Sequence, residues 1–442
     1  MRTTFIGAAG MSLAALLASA CNDKTVTTGG NLEPDGGGVT PGDDGGASQV
    51  PDAPTTGGDV PDAPTTTGGP PDAPIGPPPP EVTWGAESGL TGPILDVSTD
   101  DAGNVWAIRT DTLYVKTPSA TSFAAFGNAD GLHVEPFTAV DGSAAVTTLT
   151  AVAGARANEL YLGYYGYEGS TDPSSDTDAQ KALGNGDHIT FDPASGRITV
   201  LRYQFKCVVE SFHCWEDRSV RRIVVGHSGV AAGHAFFGFN HGTTHVWNDV
   251  LGDHVHPEVI WVNGTTTLTH YGECQALALN DDGTLWIGNH WGFGLMNWNP
   301  DPIAWTTAKF KFAYTTYTAD HSLEVPWGYA EDNRAAGVTP DGTMWLASYS
   351  NGLSSWNPTT SITTMRHWSG TPGVPTDSIV DLVADTDGTL WMIVHGALLH
   401  MDPATGAITA SAIQDAHRMY IDKTTNPRGL YIARESGVTV MH

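Results

Sequence analysis

A short phrase that recurs along the chain constrains its fold more than any other feature. A polar turn containing glycine leads into an apolar residue and a tryptophan in four clear copies, at residues 100–106, 281–286, 340–345 and 386–391. Two weaker copies end in tyrosine, at residues 157–161 and 426–431. Alternating apolar runs flank these copies, and alternation around an Asp-Gly turn is typical of a β-hairpin. The sequence therefore predicts an all-β chain built from repeated antiparallel units.

The repeats predict a seven-bladed β-propeller over residues 83–442. Six blades correspond to the six copies, and the seventh corresponds to residues 220–239, where two apolar runs flank a Gly-rich turn. Several short strands in each repeat, without a long segment of helical period, are typical of a propeller.

The two ends of this region predict a ring closed by an N-terminal strand. Residues 83–94 align with residues 367–379, and the chain stops at a third strand of the last repeat. We expect residues 83–89 to pair with residues 438–441. Such pairing removes two open strand edges, which otherwise favour aggregation.

The N-terminus predicts export and a lipid anchor. Arg2 precedes an apolar run from Phe5 to Ala20, and small residues lead into Cys21, which is typical of a secretory signal at residues 1–20. This segment resembles a lipobox, which implies that Cys21 carries a lipid. The alternative is an ordinary secretory signal with an unmodified Cys21. We expect a lipid-anchored protein of the bacterial cell envelope, either periplasmic or on the cell surface.

The segment at residues 21–82 predicts a disordered linker. Gly, Pro, Thr and Asp dominate it, and Pro-Asp-Ala-Pro recurs at Pro51, Pro61 and Pro71. A chain of this composition cannot bury enough apolar surface to offset the entropy of ordering. We expect a spacer between the lipid anchor and the propeller.

The charge of the chain bears on its binding partners, and its cysteines bear on disulfide formation. The chain has 48 acidic and 20 basic residues, for a net charge of −28. Nucleic acid is not expected as a partner, because phosphate binding needs a basic surface. Cys207 and Cys214 are a candidate disulfide in an oxidising compartment, and Cys274 is expected to be a buried thiol. We expect a monomer with an unknown ligand or protein partner.

Two known repeat families resemble parts of this chain. The Asp-Gly-Thr-Leu-Trp-Ile-Gly phrase from Asp282, followed by Gly294-Leu295, resembles the two-component-regulator propeller repeat. The Asp-Pro-x-x-Gly-x-Ile phrases at 192–198 and 402–408 resemble repeats of streptogramin-lyase-like propellers. The resemblance covers most of the chain after Thr83. It implies the fold and, from the first family, a ligand-sensing role outside the cell membrane; the function itself is only weakly specified, since propellers serve many functions.

One set of polar residues is predicted to surround the mouth of the central channel. Carboxylate–arginine groups fall where the chain enters the channel, and imidazole and aromatic residues of loops between second and third strands face them. The predicted ligand-binding residues are Glu216, Asp217, Arg218, Glu273, His290, Trp291, Glu331, Asp332, Arg334 and His395, with Tyr349 and Asn351 beside them. Such groups can bind a polar ligand or supply acid–base chemistry. The alternative is that they form Arg–carboxylate pairs that hold neighbouring blades together.

A second set of residues predicts a metal site. Long insertions at 166–187, 204–217 and 240–257 are expected on the same face of the propeller, where loops tend to carry function. The candidate ligands for zinc or another divalent metal are His213, His241, His245, Asp253, His254 and His256. The alternative is a polar loop whose histidines bind the backbone and each other. His227 and His234 fall in an opposite turn and are expected to be structural.

Two classes of function remain open. A membrane-anchored binding, sensing or interaction module is favoured, because no nucleophile motif or established catalytic signature is visible in the sequence. The alternative is a metal-assisted lyase or hydrolase with its site on the insertion face.

Overall fold

The structure, a computed structural model, covers most of the predicted propeller. It describes residues 81–139, 141–166, 177, 180, 182–205, 219–239, 242–255, 259–263, 266–270, 274–288, 292–297, 309–315, 333–349, 351–360, 364–368, 371–425 and 427–442. The predicted signal peptide, Cys21, nearly all of the predicted linker, Cys207 and Cys214 lie outside these residues.

Seven four-stranded antiparallel sheets are present among the described residues. The first consists of β2 (Asp96–Thr99), β3 (Val105–Arg109), β4 (Thr112–Lys116) and β5 (Ala124–Phe126). The second consists of β8 (Thr148–Gly154), β9 (Glu159–Tyr165), β10 (Gly186–Asp192) and β11 (Arg197–Tyr203). The third consists of β12 (Val220–Val225), β13 (His234–Phe239), β14 (Gly242–Trp247) and β15 (Val250–Val255).

The remaining sheets follow the same plan. The fourth consists of β18 (Ala276–Leu279), β19 (Leu285–Gly288), β20 (Gly292–Asn297) and β21 (Lys309–Thr315). The fifth consists of β22 (Asn333–Val338), β23 (Met344–Ser348), β24 (Gly352–Trp356) and β25 (Arg366–His367). The sixth consists of β26 (Ile379–Ala384), β27 (Leu390–Val394), β28 (Ala397–Asp402) and β29 (Ala407–Ala410). The seventh consists of β30 (Ala416–Asp422), β31 (Gly429–Arg434), β32 (Gly437–Met441) and, from the other end of the chain, β1 (Glu81–Trp84).

Two hairpins lie between these sheets in the chain. They are β6 (Pro136–Thr138) with β7 (Ala144–Val146), and β16 (Val259–Asn263) with β17 (Thr266–His270). Three short 3-10 helices are described, at Ala86–Ser88, Asn128–Asp130 and Gly229–Ala231. No helix among the described residues has the length and apolar composition that a membrane crossing requires.

The sheets form a β-propeller, which confirms the all-β fold predicted from the repeats. The first strand of each sheet packs beside the first strand of the next sheet along the chain. The order of these first strands is β2, β8, β12, β18, β22, β26 and β30, and β30 also packs beside β2. Clusters of buried apolar side chains fill the spaces between neighbouring sheets, as Trp106 of β3 and Leu160 of β9 do between the first and second.

The recurring sequence phrase has a local structural cause. In the first sheet, the Trp106 indole N–H donates to the Asp100 carboxylate at 2.9 Å, and in the sixth the Trp391 indole N–H donates to Asp385 at 3.0 Å. Both carboxylates precede the turn between the first two strands and both are buried. Gly388 in the sixth-sheet turn has φ +87°, a conformation that favours glycine. The recurring phrase therefore forms the turn of the hairpin and also provides a carboxylate acceptor for the buried indole N–H.

Two sequence-based expectations differ from the structure. The predicted N-terminal strand at 83–89 is instead β1, which pairs Glu81 with Met441 and Trp84 with Val438, and a 3-10 helix follows it. Residues 240–257 do not form a long loop between second and third strands, because residues 242–255 form the outer hairpin of β14 and β15. Alternating Thr, Val and Trp give this segment strand propensity, and pairing with β13 overrides its polar composition.

Candidate functional site

The first strands of all seven sheets line a central channel. Its cavity measures about 210 Å³ and is bordered by residues of β2, β8, β12, β18, β22, β26 and β30. Its lining includes both apolar residues such as Ile223 and Leu382 and charged residues such as Arg222.

A wider pocket lies where four of these strands begin, and we call it the mouth pocket. It measures about 770 Å³. Its lining comprises Gln275, Arg334, Tyr349, Ser378, Val380, His395, Gly396, Gln414, Asp415, Ala416, His417, Arg418 and Glu435. These residues come from the fourth to seventh sheets, so one side of the propeller supplies the whole described pocket.

Repeated β-bulges place side chains in the mouth pocket. The register between first and second strands shifts by one residue at Arg334 in the fifth sheet, Val380 in the sixth and His417 in the seventh. A bulge leaves one residue unpaired and redirects its side chain. All three bulged residues line the pocket, which links a repeated backbone feature to the chemistry of the opening.

Of the predicted mouth residues, the structure describes the side chains of Arg334, Tyr349, Asn351 and His395. Arg334, Tyr349 and His395 line the mouth pocket together. The Arg334 Nη1 donates to Gln275 Oε1 at 3.0 Å, and its guanidinium lies 5.6 Å from the centre of the Tyr349 ring. Tyr349 is 47% exposed, so this aromatic ring is available at the opening. His395 occupies the tight turn between β27 and β28. Glu216, Asp217, Arg218, Glu273, His290, Trp291, Glu331 and Asp332 lie outside the described residues.

A charged network lies just inside the mouth pocket. Arg222 donates to the Asp381 carboxylate across the channel, and the Arg418 Nη1 lies 4.0 Å from the same Asp381 oxygen. The other Asp381 oxygen accepts the Met419 backbone N–H at 2.7 Å. The Arg222–Asp381 pair therefore links the third and sixth sheets, and Arg222 and Arg418 also line the channel.

Asp96 repeats this arrangement between the first and second sheets. Its Oδ2 accepts the Val152 backbone N–H at 3.0 Å, as Asp381 accepts that of Met419. Burial raises the pKa of Asp96 to about 6, and the charges of Arg418 and Arg222 oppose this shift only in part. Burial also lowers the pKa of Arg418, with Arg222 as the next cause.

Arg–carboxylate pairs between blades, the alternative interpretation of the mouth residues, also occur elsewhere. The Arg428 Nη2, beside β31, lies 2.5 Å from the Asp385 carboxylate of the sixth sheet. This pair joins two neighbouring sheets away from the mouth pocket. Arg334, inside the mouth pocket, contacts an amide and an aromatic ring.

The histidine-rich segment is organised differently from its prediction as a loop. His245 is fully buried in β14, and its Nε2 lies 2.7 Å from the Nδ1 of His234. The His234 ring is stacked between His245 and Trp247, with centroid distances of 4.9 and 4.8 Å. Burial lowers the pKa of both imidazoles, to about 4 for His234 and about 3 for His245. The expectation that His234 is structural fits this position.

The metal site stays a prediction. The side chains of His213, His241, Asp253, His254 and His256 lie outside what the structure describes. Within the described part, no group of three or more His, Cys, Asp or Glu side chains is arranged to hold a metal ion.

Sequence reasoning missed the charged network beside the channel. Arg222, Asp381 and Arg418 each stand third in the first strand of their sheet, and each is followed directly by an apolar residue. A charged side chain within a buried strand is uncommon and needs a partner. That signal was present in the sequence, but the identity of the partner was not.

Comparisons with known proteins show similarity in fold but identify no family. Neither a scan against protein-family models nor a search of curated proteins finds a match. Among solved structures, the chain is similar to the extracellular domain of a protein described as a hybrid two-component system of B. thetaiotaomicron. The TM-score is 0.51 at 13% identity, and the match covers 83% of this chain and 41% of that one. The chain thus spans less than half the length of that structure.

Two further structures have lower scores. A streptogramin B lyase structure gives a TM-score of 0.47 at 11% identity, covering 82% of this chain and 97% of that one. YCF48 bound to D1 peptide gives 0.48 at 16% identity, covering 83% of this chain and 96% of that one. Of these structures, the one with the TM-score of 0.51 comes from a two-component system, one of the two propeller types that the sequence repeats resemble.

Proposed function

We propose that this protein is a ligand-binding or interaction module whose binding site is the mouth pocket. The observation that carries the proposal is the convergence of bulged polar residues from the fifth and seventh sheets on one open pocket. Arg334 and His417 are directed there by register shifts, beside the exposed ring of Tyr349. A concave opening with a few convergent polar groups is the usual form of a binding site.

We also propose that the seven four-stranded sheets are seven blades of one closed ring. The contact between β2 and β30 and the pairing of β1 with β32 support this proposal. A closed ring holds the first strands in fixed positions around the channel. It would therefore keep the mouth residues in place before a ligand arrives, which lowers the entropic cost of binding.

We further propose that the module works outside the cytoplasm, held on a membrane by a lipid on Cys21. The small residues before Cys21 support this proposal. Membrane fractionation of the Cys21→Ser variant tests it. We expect the variant to appear in the soluble fraction, whereas retention equal to that of the wild type would contradict the anchor.

A ligand screen tests the binding role. Ligand-observed NMR with a library of small acids, amides and neutral polar compounds should give binders for the wild-type protein. Tyr349→Ala and His395→Ala should weaken these binders, because both residues line the pocket and neither belongs to the apolar core. Val230→Ala is the matched control, since Val230 is also an exposed large apolar residue but lies outside the pocket. If all three variants change the affinity for these binders equally, the binding site lies outside the mouth pocket.

A further inference from the structure

A small cavity lies between the second and third sheets, and we call it the inter-sheet cavity. It measures about 70 Å³. Its lining comprises Ala155, Arg156, Glu159, Tyr161, His188, Gly233, Asn248 and Asp249. These residues line neither the central channel nor the mouth pocket, so the inter-sheet cavity is a separate place in the molecule.

The turn between β14 and β15 brings Asp249 of the third sheet to the second sheet. Asn248 and Asp249 both have positive φ, at 48° and 61°, as the favoured two-residue hairpin turn requires. The Asp249 Oδ1 lies 2.8 Å from the Nδ1 of His188 in β10, and it also accepts from the Tyr203 hydroxyl at 2.7 Å. Because an ionised carboxylate only accepts hydrogen bonds, the His188 Nδ1 carries a proton.

The other ring nitrogen of His188 faces a second carboxylate. His188 is 9% exposed, and its ring stacks on that of Tyr161 at a centroid distance of 4.9 Å. Its Nε2 is buried, lies 3.5 Å from the Glu159 Oε2, and has no hydrogen-bond partner among the described residues. A protonated Nε2 would donate to a carboxylate at about 2.7–2.9 Å. At the longer distance, Nε2 and the carboxylate are two acceptors, and buried acceptors of this kind need a donor between them.

The charges around the inter-sheet cavity do not balance. Burial raises the pKa of the Tyr161 hydroxyl in the cavity wall, the charges of Asp249 and Glu159 raise it further, and the charge of Arg156 opposes them. The Arg156 Nη2 is engaged with the Asn248 Oδ1 at 2.8 Å. Two carboxylates and one guanidinium therefore leave one negative charge without compensation at this place.

We propose that the inter-sheet cavity binds a primary ammonium group, either of a free small amine or of a lysine side chain. An ammonium group has three donors and no acceptor, so it can donate to both the His188 Nε2 and the Glu159 carboxylate. It also supplies the missing positive charge, which a water molecule does not. The cavity volume is several times the roughly 10–15 Å³ that one water needs, which leaves room for the ammonium group and its first carbon.

Ligand-observed NMR with methylammonium chloride, in phosphate buffer free of other amines, tests this inference. Tetramethylammonium has the same charge but no N–H donor, and it is the matched ligand control at equal ionic strength. We expect methylammonium to bind at least about tenfold more tightly, because tetramethylammonium leaves the buried His188 Nε2 and the Glu159 carboxylate without a donor.

Two variants locate the site. Glu159→Gln should weaken methylammonium binding by about tenfold, because it removes the charged acceptor of the ammonium group. Glu81→Gln is the control and should leave the Kd unchanged, because it removes the same charge from an exposed residue of β1. His188→Phe keeps a ring beside Tyr161 but lacks the Nε2 acceptor, and it should weaken binding likewise. Glu159→Gln carries the test if the melting temperature shows that His188→Phe does not fold.

A third ligand distinguishes the two sources of the ammonium group. Nα-acetyl-lysine N-methylamide has the same primary ammonium group at the end of a lysine side chain. If it binds as tightly as methylammonium, the cavity admits a lysine side chain of a partner protein. If methylammonium alone binds, the ligand is a free small amine. Both outcomes support the ammonium site.

Other outcomes would overturn it. Equal affinities for methylammonium and tetramethylammonium, or a Kd that Glu159→Gln leaves unchanged, would show that the ammonium group is not recognised in this cavity. If methylammonium does not bind at all, His188 carries both protons or water fills the cavity, and the inference is wrong. The proposed binding role of the mouth pocket is unaffected by these results, since the two places share no lining residue.

Discussion

The buried imidazole pair of His234 and His245 predicts that the protein loses stability on mild acidification. Burial lowers the pKa of these groups to about 4 and about 3, from 6.5. An unfolded chain protonates both imidazoles near pH 6.5, while the folded protein keeps them neutral until a lower pH. The unfolded state therefore binds more protons in this window, and the free energy of unfolding falls as the pH falls.

The magnitude follows from the number of protons. Each imidazole contributes about 1.4 kcal/mol per pH unit, so the pair contributes about 2.7 kcal/mol per unit between pH 6 and 4.5. Asp96 acts in the opposite direction, because its raised pKa lets the folded state bind an extra proton there. It offsets about 1.4 kcal/mol per unit. For these three groups together, we expect a net loss of about 2 kcal/mol from pH 6 to pH 4.5.

His245→Gln isolates the contribution of one imidazole. An amide can keep a hydrogen bond to His234 but does not titrate. Urea unfolding followed by tryptophan fluorescence should show that the stability advantage of the wild type over this variant shrinks by about 2 kcal/mol between pH 6 and pH 4.5. His442→Gln, at the exposed C-terminal residue, is the control and should show no such change. A difference between wild type and His245→Gln that is constant with pH would refute a buried neutral imidazole at this position.

Three further perturbations have defined outcomes. Asp96→Asn should abolish the loss of stability that the wild type shows at this residue as pH rises from about 4 to 6, because an amide does not ionise. It should raise the free energy of unfolding at pH 7 by no more than about 3 kcal/mol, and an unchanged pH profile in urea unfolding would contradict the raised pKa. Gly154→Ala should lower the melting temperature sharply, because the new Cβ would lie 1.9 Å from the Thr99 carbonyl oxygen. Gly127→Ala is the control and should not lower it, because the nearest atom to its new Cβ lies at 3.9 Å. Equal melting temperatures for these two variants would show that the sheets do not approach this closely. Deleting residues 81–84 should expose an edge of β32 and lower the melting temperature, and the same melting temperature as wild type would argue against the closed ring.

The sequence by itself determined the fold class and the local form of the hairpins that carry the recurring phrase. Trp106 and Asp100 are six residues apart, and the hydrogen bond between them depends only on the turn that joins their strands. Such short-range interactions repeat with the sequence, and period-two alternation with the Asp-Gly phrase was sufficient to predict the hairpins that contain them. The sequence also predicted Arg334 and His395 as residues of one opening, because both follow from the position of a repeat.

Only the tertiary structure decided what the channel contains. Arg222 and Asp381 are 159 residues apart, and no local pattern pairs a residue of the third sheet with one of the sixth. The same is true of the bulges, since a shift of one residue in a register depends on how neighbouring sheets pack. His245 illustrates the reverse error: a polar composition indicated a loop, but pairing with β13 and stacking on His234 bury it in the third sheet. Local sequence favours the hairpins of the repeats. Long-range packing decides which charged side chains meet, because burial and Coulomb interactions depend on distance in space rather than along the chain.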